Sequence, residues 1–125
     1  MKKEIKTTLK NYIDTSEIIQ PTNILEILSD DYNAYKRLLL KYRDKYGLMI
    51  NQFNNEYQND TTSYFKTTHL LKGVTGTIGA MKLYDLLVEI EQNRENHELL
   101  DINHNNFNKS HDELLEFIDK LEKIN

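Results

Sequence analysis

The residues best suited to chemistry lie in the stretch HLLKGVTGTIG, residues 69–79. An imidazole, His69, has lysines three residues away on either side, Lys66 and Lys72. Two glycines, Gly73 and Gly76, follow within what otherwise reads as a helix, each at a cost of roughly 1 kcal/mol relative to alanine. At about 100° per residue, with His69 at zero, Leu70, Leu71, Val74, Ile78 and Met81 form an apolar sector centred near 140°. His69 falls outside that sector, so its ring is expected to reach solvent. Gly73 at about +40° and Gly76 at about −20° flank it, Lys72 and Lys66 lie about 60° to either side, and Phe65 sits one turn earlier on the same face. Glycines lower the surface around the imidazole and suit close approach by another protein. Lysines suit negative charge arriving there, as on a phosphoryl group. A purely solvated face would use better helix formers.

Each residue also has a plainer reading. His69 as an ordinary surface histidine leaves the two glycines without a purpose. Lys66 reads first as a solvated charge and second as phosphate support; Lys72 reads in the opposite order. Phe65 fits equally a docking contact and the edge of the core. Gly79 reads as the left-handed residue that ends the helix, with a new helix beginning at Ala80.

The elements that must position this stretch follow from composition and periodicity. The chain has 125 residues, one proline, four glycines and no cysteine. Such sparse turn chemistry argues against an all-β fold, and 38% apolar with 29% charged residues fits a globular domain. The absence of cysteine excludes disulfides and thiolate zinc sites. Pro21-Thr22-Asn23 signals a helix start, and Asp30 or Asp31 caps a helix carrying Tyr35, Leu38, Leu39, Tyr42 and Tyr46. Gly47 marks a kink or a boundary before Met49, Ile50, Phe53 and Tyr57 resume the stripe. NDTTS, residues 59–63, caps a helix from about residue 61. Leu83, Leu86, Leu87 and Ile90 belong to the helix after Gly79. The Asn-rich residues 93–108 read as a loop with one helical turn, followed by a last helix capped by Asn108 or Ser110. The fold class is all-α: an antiparallel, up-down-up-down four-helix bundle over residues 21–125. Residues 1–20 form a linker or a loose helix with Ile5, Leu9 and Tyr12 on one face.

His97, His104 and His111 recur every seven residues. On one helix they would line a face and suggest a metal site. Because the segment reads as broken, they are taken as surface histidines, and no metal site is assigned. HELLD at 97–101 lacks the second histidine of a zinc-protease motif. The tyrosines at 32, 35, 42, 46 and 57 read as core and rim packing.

HLLKGVTGTIGAMKL resembles the signature of histidine-containing phosphotransfer (HPt) domains, the helical intermediates of bacterial two-component phosphorelays. His69, Leu71, Lys72, Gly73, Gly79, Ala80 and Leu83 match the family pattern. Ile78 replaces a leucine, Thr68 a common alanine and Val74 a small polar residue, while Ile90-Glu91 stands where the family usually has Leu-Glu. The best match spans residues 65–91. The resemblance implies that His69 is the phosphoacceptor, modified at Nε2. It implies that Lys72 and Lys66 support phosphate charge, and that Gly73, Gly76 and Phe65 serve docking and clearance. Receiver domains of response regulators are the implied partners, with a divalent metal such as Mg on the receiver and no cofactor bound by this chain. A hybrid sensor histidine kinase, in the same or another chain, is the implied source of phosphate, since no ATP-binding motif is present. The alternatives are the phosphoacceptor domain of a chemotaxis-type histidine kinase, a bundle that binds partners without phosphorylation, and a helical metal-binding protein.

The formal net charge of −4 argues against nucleic-acid binding. No run approaches a membrane span, and Met-Lys-Lys-Glu-Ile-Lys has no apolar stretch behind it that would make a signal peptide. A monomer in the cytoplasm is expected, or the cytoplasmic end of a larger membrane-bound sensor kinase.

Overall fold

The computed structural model describes residues 8–124. Among them there are seven helices and no strand: α1 (Leu9–Asp14), α2 (Thr22–Ile27), α3 (Tyr32–Tyr46), α4 (Met49–Asn59), α5 (Thr61–Ile78), α6 (Met81–Gln92) and α7 (His97–Glu122). The expected all-α class holds.

Local chemistry sets most of the boundaries. The Asp31 carboxylate accepts from the Ala34 N–H at 3.0 Å and starts α3. Asp60 does the same for α5, accepting from the Ser63 N–H at 3.1 Å and from its hydroxyl at 2.8 Å. Gly47 and Leu48 keep right-handed helical dihedrals between α3 and α4. The interruption at Gly47 therefore joins two segments without reversing the chain. Gly79 ends α5 at φ +82°, and the Ala80 N–H returns to the Thr75 carbonyl at 2.9 Å. A Cβ at this position would lie 2.7 Å from the Gln20 carbonyl oxygen, so glycine is required there for space as well as for its dihedral. The Gln20 N–H in turn donates to the Gly79 carbonyl at 2.7 Å.

α5 packs chiefly on α6, α6 on α7, α4 on α5 and α3 on α7. Leu39, Phe53, Leu71, Leu87, Ile90, Phe107 and Ile118 are fully buried between them, each contributing roughly 1.5–3 kcal/mol by leaving water. Three buried tyrosines tie helices together through their hydroxyls. Tyr35 donates to the Ile78 carbonyl at 2.6 Å, Tyr42 lies 2.8 Å from His111 Nε2, and Tyr64 lies 2.8 Å from His104 Nδ1. Tyr32, Tyr46 and Tyr57 are half-buried around them.

Two expectations need correction. Residues 97–108 are not a loop but the first half of α7, which starts where Asn96 accepts from the Leu99 N–H at 3.2 Å. The asparagines there are poor helix formers, yet the side chains of Asn103 and Asn108 find partners outside α7. Asn103 donates to Glu89 at 2.9 Å and accepts from Asn93 at 2.8 Å, and Asn108 donates to Asn54 at 2.9 Å. Those cross-helix bonds offset the weak intrinsic propensity. Residues 8–20 are not loose either. Leu9, Ile13 and Ile19 are buried in the common core, and Tyr12 stacks on Phe117 at 4.7 Å while donating to its carbonyl at 2.9 Å. Ile5, the first residue of the expected N-terminal face, lies outside the described residues.

Candidate functional site around His69

The core face of α5 carries Tyr64, Thr68, Leu71, Thr75 and Ile78, all buried. Anchoring that face turns His69 outward, with 76% of its side chain exposed. The expected solvent position of the imidazole is thus where the structure puts it.

The two flanks of α5 differ. On the flank facing α6, Lys72 Nζ lies 2.6 Å from Glu91 Oε1, and the other carboxylate oxygen lies 3.6 Å from His69 Nδ1. The second distance is beyond a direct hydrogen bond but within ion-pair range. One carboxylate on α6 thus faces both the imidazole and the lysine. The hydrogen bond that Lys72 donates to Glu91 holds its ammonium above the usual lysine range, so the lysine stays charged. The carboxylate lies on the Nδ1 side of the imidazole.

Gly76 and Phe65 belong to this same flank; Gly76 corrects an expectation, and Phe65 takes the second of its two readings, the edge of the core. A Cβ on Gly76 would meet the Tyr84 ring at 3.1 Å, so the glycine makes room for α6 and leaves no clearance for a partner. Phe65 is 7% exposed and not on an open face. The Arg94 guanidinium covers its ring at 4.3 Å. On the opposite flank, nothing lies within 4 Å of a Cβ on Gly73, so here the expected bare surface is present. Lys66 is exposed and has no ion-pair partner among the described residues.

The heptad-spaced histidines separate. His97 is exposed, whereas His104 and His111 are buried, contrary to their reading as surface residues. His104 donates from Nε2 to Asn54 at 2.8 Å, accepts at Nδ1 from Tyr64 and stacks on Tyr57 at 4.0 Å. Burial pushes both imidazoles down to about 4, against weaker opposing pulls from Asp101 on His104 and Asp112 on His111. They are neutral interior hydrogen-bonding groups. Among the described residues no group of three or more His, Asp or Glu side chains is placed to hold a metal ion, and no helix is long and apolar enough to cross a membrane.

Sequence reasoning missed Glu91 as a partner of His69 and Lys72, and Tyr84 and Arg94 as the side chains that close the α6 flank. Glu91 was visible only as half of a dipeptide in a family pattern. Its reach to His69 depends on how α6 lies against α5. No protein-family model, curated protein or solved structure matches the chain.

Proposed function

We propose that the chain is a phosphotransfer intermediate in which His69 accepts a phosphoryl group from an aspartyl phosphate on a receiver domain and returns it to another receiver. The observation that carries this reading is an outward-facing imidazole, 76% exposed, with a Glu91 carboxylate oxygen 3.6 Å from its Nδ1 and Lys72 paired to the same carboxylate. Nε2 attacks phosphorus in line, the N–P bond forms as the bond from phosphorus to the aspartate oxygen breaks, and the carboxylate leaves. The proton stays on Nδ1, where Glu91 stabilises the cationic ring. Lys72, held charged, adds positive potential near the incoming oxygens. Gly73 leaves room for the partner's loops. The reverse sequence discharges the carrier.

In this reading α3 with α4, α5, α6 and α7 form the four members of an antiparallel bundle, with α1 and α2 as additions. A hybrid sensor kinase supplies the phosphate, the metal ion resides on the receiver, and the reaction takes place in the cytoplasm. Phe65 and Gly76 drop out as docking residues, because both are committed to intramolecular packing.

The test is acceptance of label from phosphorylated receivers by the wild-type chain and by His69→Gln. Acid-labile, alkali-stable label on the wild type and none on the variant is the expected result, with unchanged far-UV circular dichroism. Equal labelling of the two removes His69 from the mechanism, and no labelling of either removes the mechanism.

A further inference from the structure

Among the described residues, two polar side-chain atoms are sealed from solvent yet bond to nothing in the protein: Nδ1 of His111 and Oδ1 of Asn108. They belong to residues three apart on α7, so they share one face of that helix. A sealed polar atom without a partner is costly, and folded proteins rarely leave one so.

The hydrogen on His111 is placed by its neighbour. Tyr42 is buried, and among the described residues its hydroxyl has one partner, His111 Nε2 at 2.8 Å. A sealed hydroxyl must donate, so the Tyr42 O–H donates and Nε2 accepts. In a neutral imidazole the remaining hydrogen then sits on Nδ1. His104, seven residues earlier on the same helix, has the opposite arrangement. Its Nδ1 accepts from Tyr64, and its Nε2 donates to Asn54 Oδ1 at 2.8 Å. A tyrosine thus fixes the tautomer of each ring. The N–H of His104 has an acceptor in the protein, and that of His111 has none among the described residues.

The nearest acceptor along α7, Asn108 Oδ1, is held apart from it. The Asn108 amide nitrogen donates to Asn54 on α4 at 2.9 Å, while the His111 ring is tied to Tyr42 on α3. These two anchors stand on either side of the interruption at Gly47, where α3 gives way to α4. Turning either side chain toward the other loosens its own anchor. A buried donor and a buried acceptor are therefore left on one face of α7, against the seam between α3 and α4.

We propose that a single water molecule is bound between His111 and Asn108, accepting from Nδ1–H and donating to Oδ1. The chemistry of the two atoms selects the ligand. It must accept one hydrogen bond and donate another, which excludes a metal cation at the protonated nitrogen and a simple anion at the amide oxygen. Burial on α7 selects the smallest group that does both, and water is that group. The bound water completes a chain of hydrogen bonds from Tyr42 on α3, through His111 and Asn108, to Asn54 on α4. It joins the two halves of the interrupted helix by way of α7, much as a direct bond would. Nothing in this site depends on phosphoryl transfer at His69.

The experiment is a crystal structure of the full chain at a resolution that shows ordered water, paired with long-range proton–nitrogen correlation spectra of protein labelled at histidine. A density peak within about 3.2 Å of both atoms is expected. The spectra are expected to report the hydrogen on Nδ1 for His111 and on Nε2 for His104. Oxygen-17 relaxation dispersion counts long-lived internal waters, and Asn108→Leu, which removes the acceptor and fills its space, is expected to lose one. A direct hydrogen bond between Nδ1 and Oδ1, an Nε2–H tautomer at His111, or a dry gap between the two atoms overturns the proposal. So does an unchanged water count in Asn108→Leu, once circular dichroism verifies its fold. Should that variant fail to fold, the two measurements on the wild type decide the matter by themselves.

Discussion

The two flanks of α5 carry nearly the same residue types and put them to opposite use. Each has a lysine within a turn of His69 and a glycine within two. On the α6 side, the glycine receives the Tyr84 ring and the lysine is held by Glu91. On the α3 side, the glycine faces open space and the lysine has no ion-pair partner among the described residues. A missing side chain is thus a socket in one place and a clearing in the other. Only the neighbouring helix decides which. The closed flank sets a carboxylate beside the imidazole, and the open flank leaves the surface next to it bare.

Substitutions on the closed side should be felt as lost stability. Phe65→Ala is expected to cost roughly 3–5 kcal/mol, because a buried ring is replaced by a cavity under Arg94. Urea unfolding measures it. A cost below about 1 kcal/mol would return Phe65 to the surface and blur the distinction between the flanks.

Acid should act on the closed interior next. His104 and His111 titrate near 4 when folded and near 6.5 when unfolded. The unfolded chain therefore binds more protons between those values. Their contribution is fully present above about pH 6.5 and is lost as pH falls toward 4. Moving from pH 7 to pH 5 should remove about 2 kcal/mol per buried histidine. Unfolding free energies at the two pH values check this, and a flat profile would mean that the rings are open to water.

The glycines give the most direct contrast. Gly76→Leu drives a side chain into Tyr84 and is expected to destabilise by about 1–3 kcal/mol. Gly73→Leu meets nothing and is expected to stabilise by up to about 1 kcal/mol, while slowing transfer from a phosphorylated receiver. Thermal melts of the pair, set beside transfer rates, sharpen the comparison; equal melting shifts would break it. The smallest effect on stability belongs to Glu91→Gln, which removes the charge facing Nδ1 and Lys72. Transfer is expected to slow about tenfold, equivalent to ~1.4 kcal/mol in the barrier, with little change in melting temperature. An unaltered rate would make Glu91 a surface ion pair and nothing more.

The sequence was most legible where one residue type has one physical use. Gly79 as a helix end, a cap at Asp30 or Asp31 and another within residues 59–63, and the outward angle of His69 all follow from backbone geometry and periodicity. A helical wheel reports direction but not who stands there. Gly76 at about −20° and Gly73 at about +40° look like one bare face, and the split between them appears only once α6 is in place. Phe65, on the same side as Gly76, was open to either reading for the same reason. Residues 93–108 failed differently. Local propensity favoured a loop, whereas Asn93 just ahead of the helix, and Asn54 and Glu89 on other helices, supply partners that offset the poor propensity of Asn103 and Asn108. With the helix continuous, His104 and His111 come round to the interior, where Tyr64 and Tyr42 receive them.

The clasp between Gln20 and Gly79 bears on modularity. Signalling modules are shuffled between chains by cutting and rejoining at their borders, and the sequence motif alone would place the cut at Pro21. A transplant cut there would leave the Gly79 carbonyl without its donor and strip Ile13 and Ile19 from the interior. It would also uncover Phe117, on which Tyr12 rests. The turn that aligns α5 with α6, and so brings Glu91 to His69, is braced by a segment some sixty residues upstream. The unit that folds this site therefore includes α1 and the segment from it to Gln20.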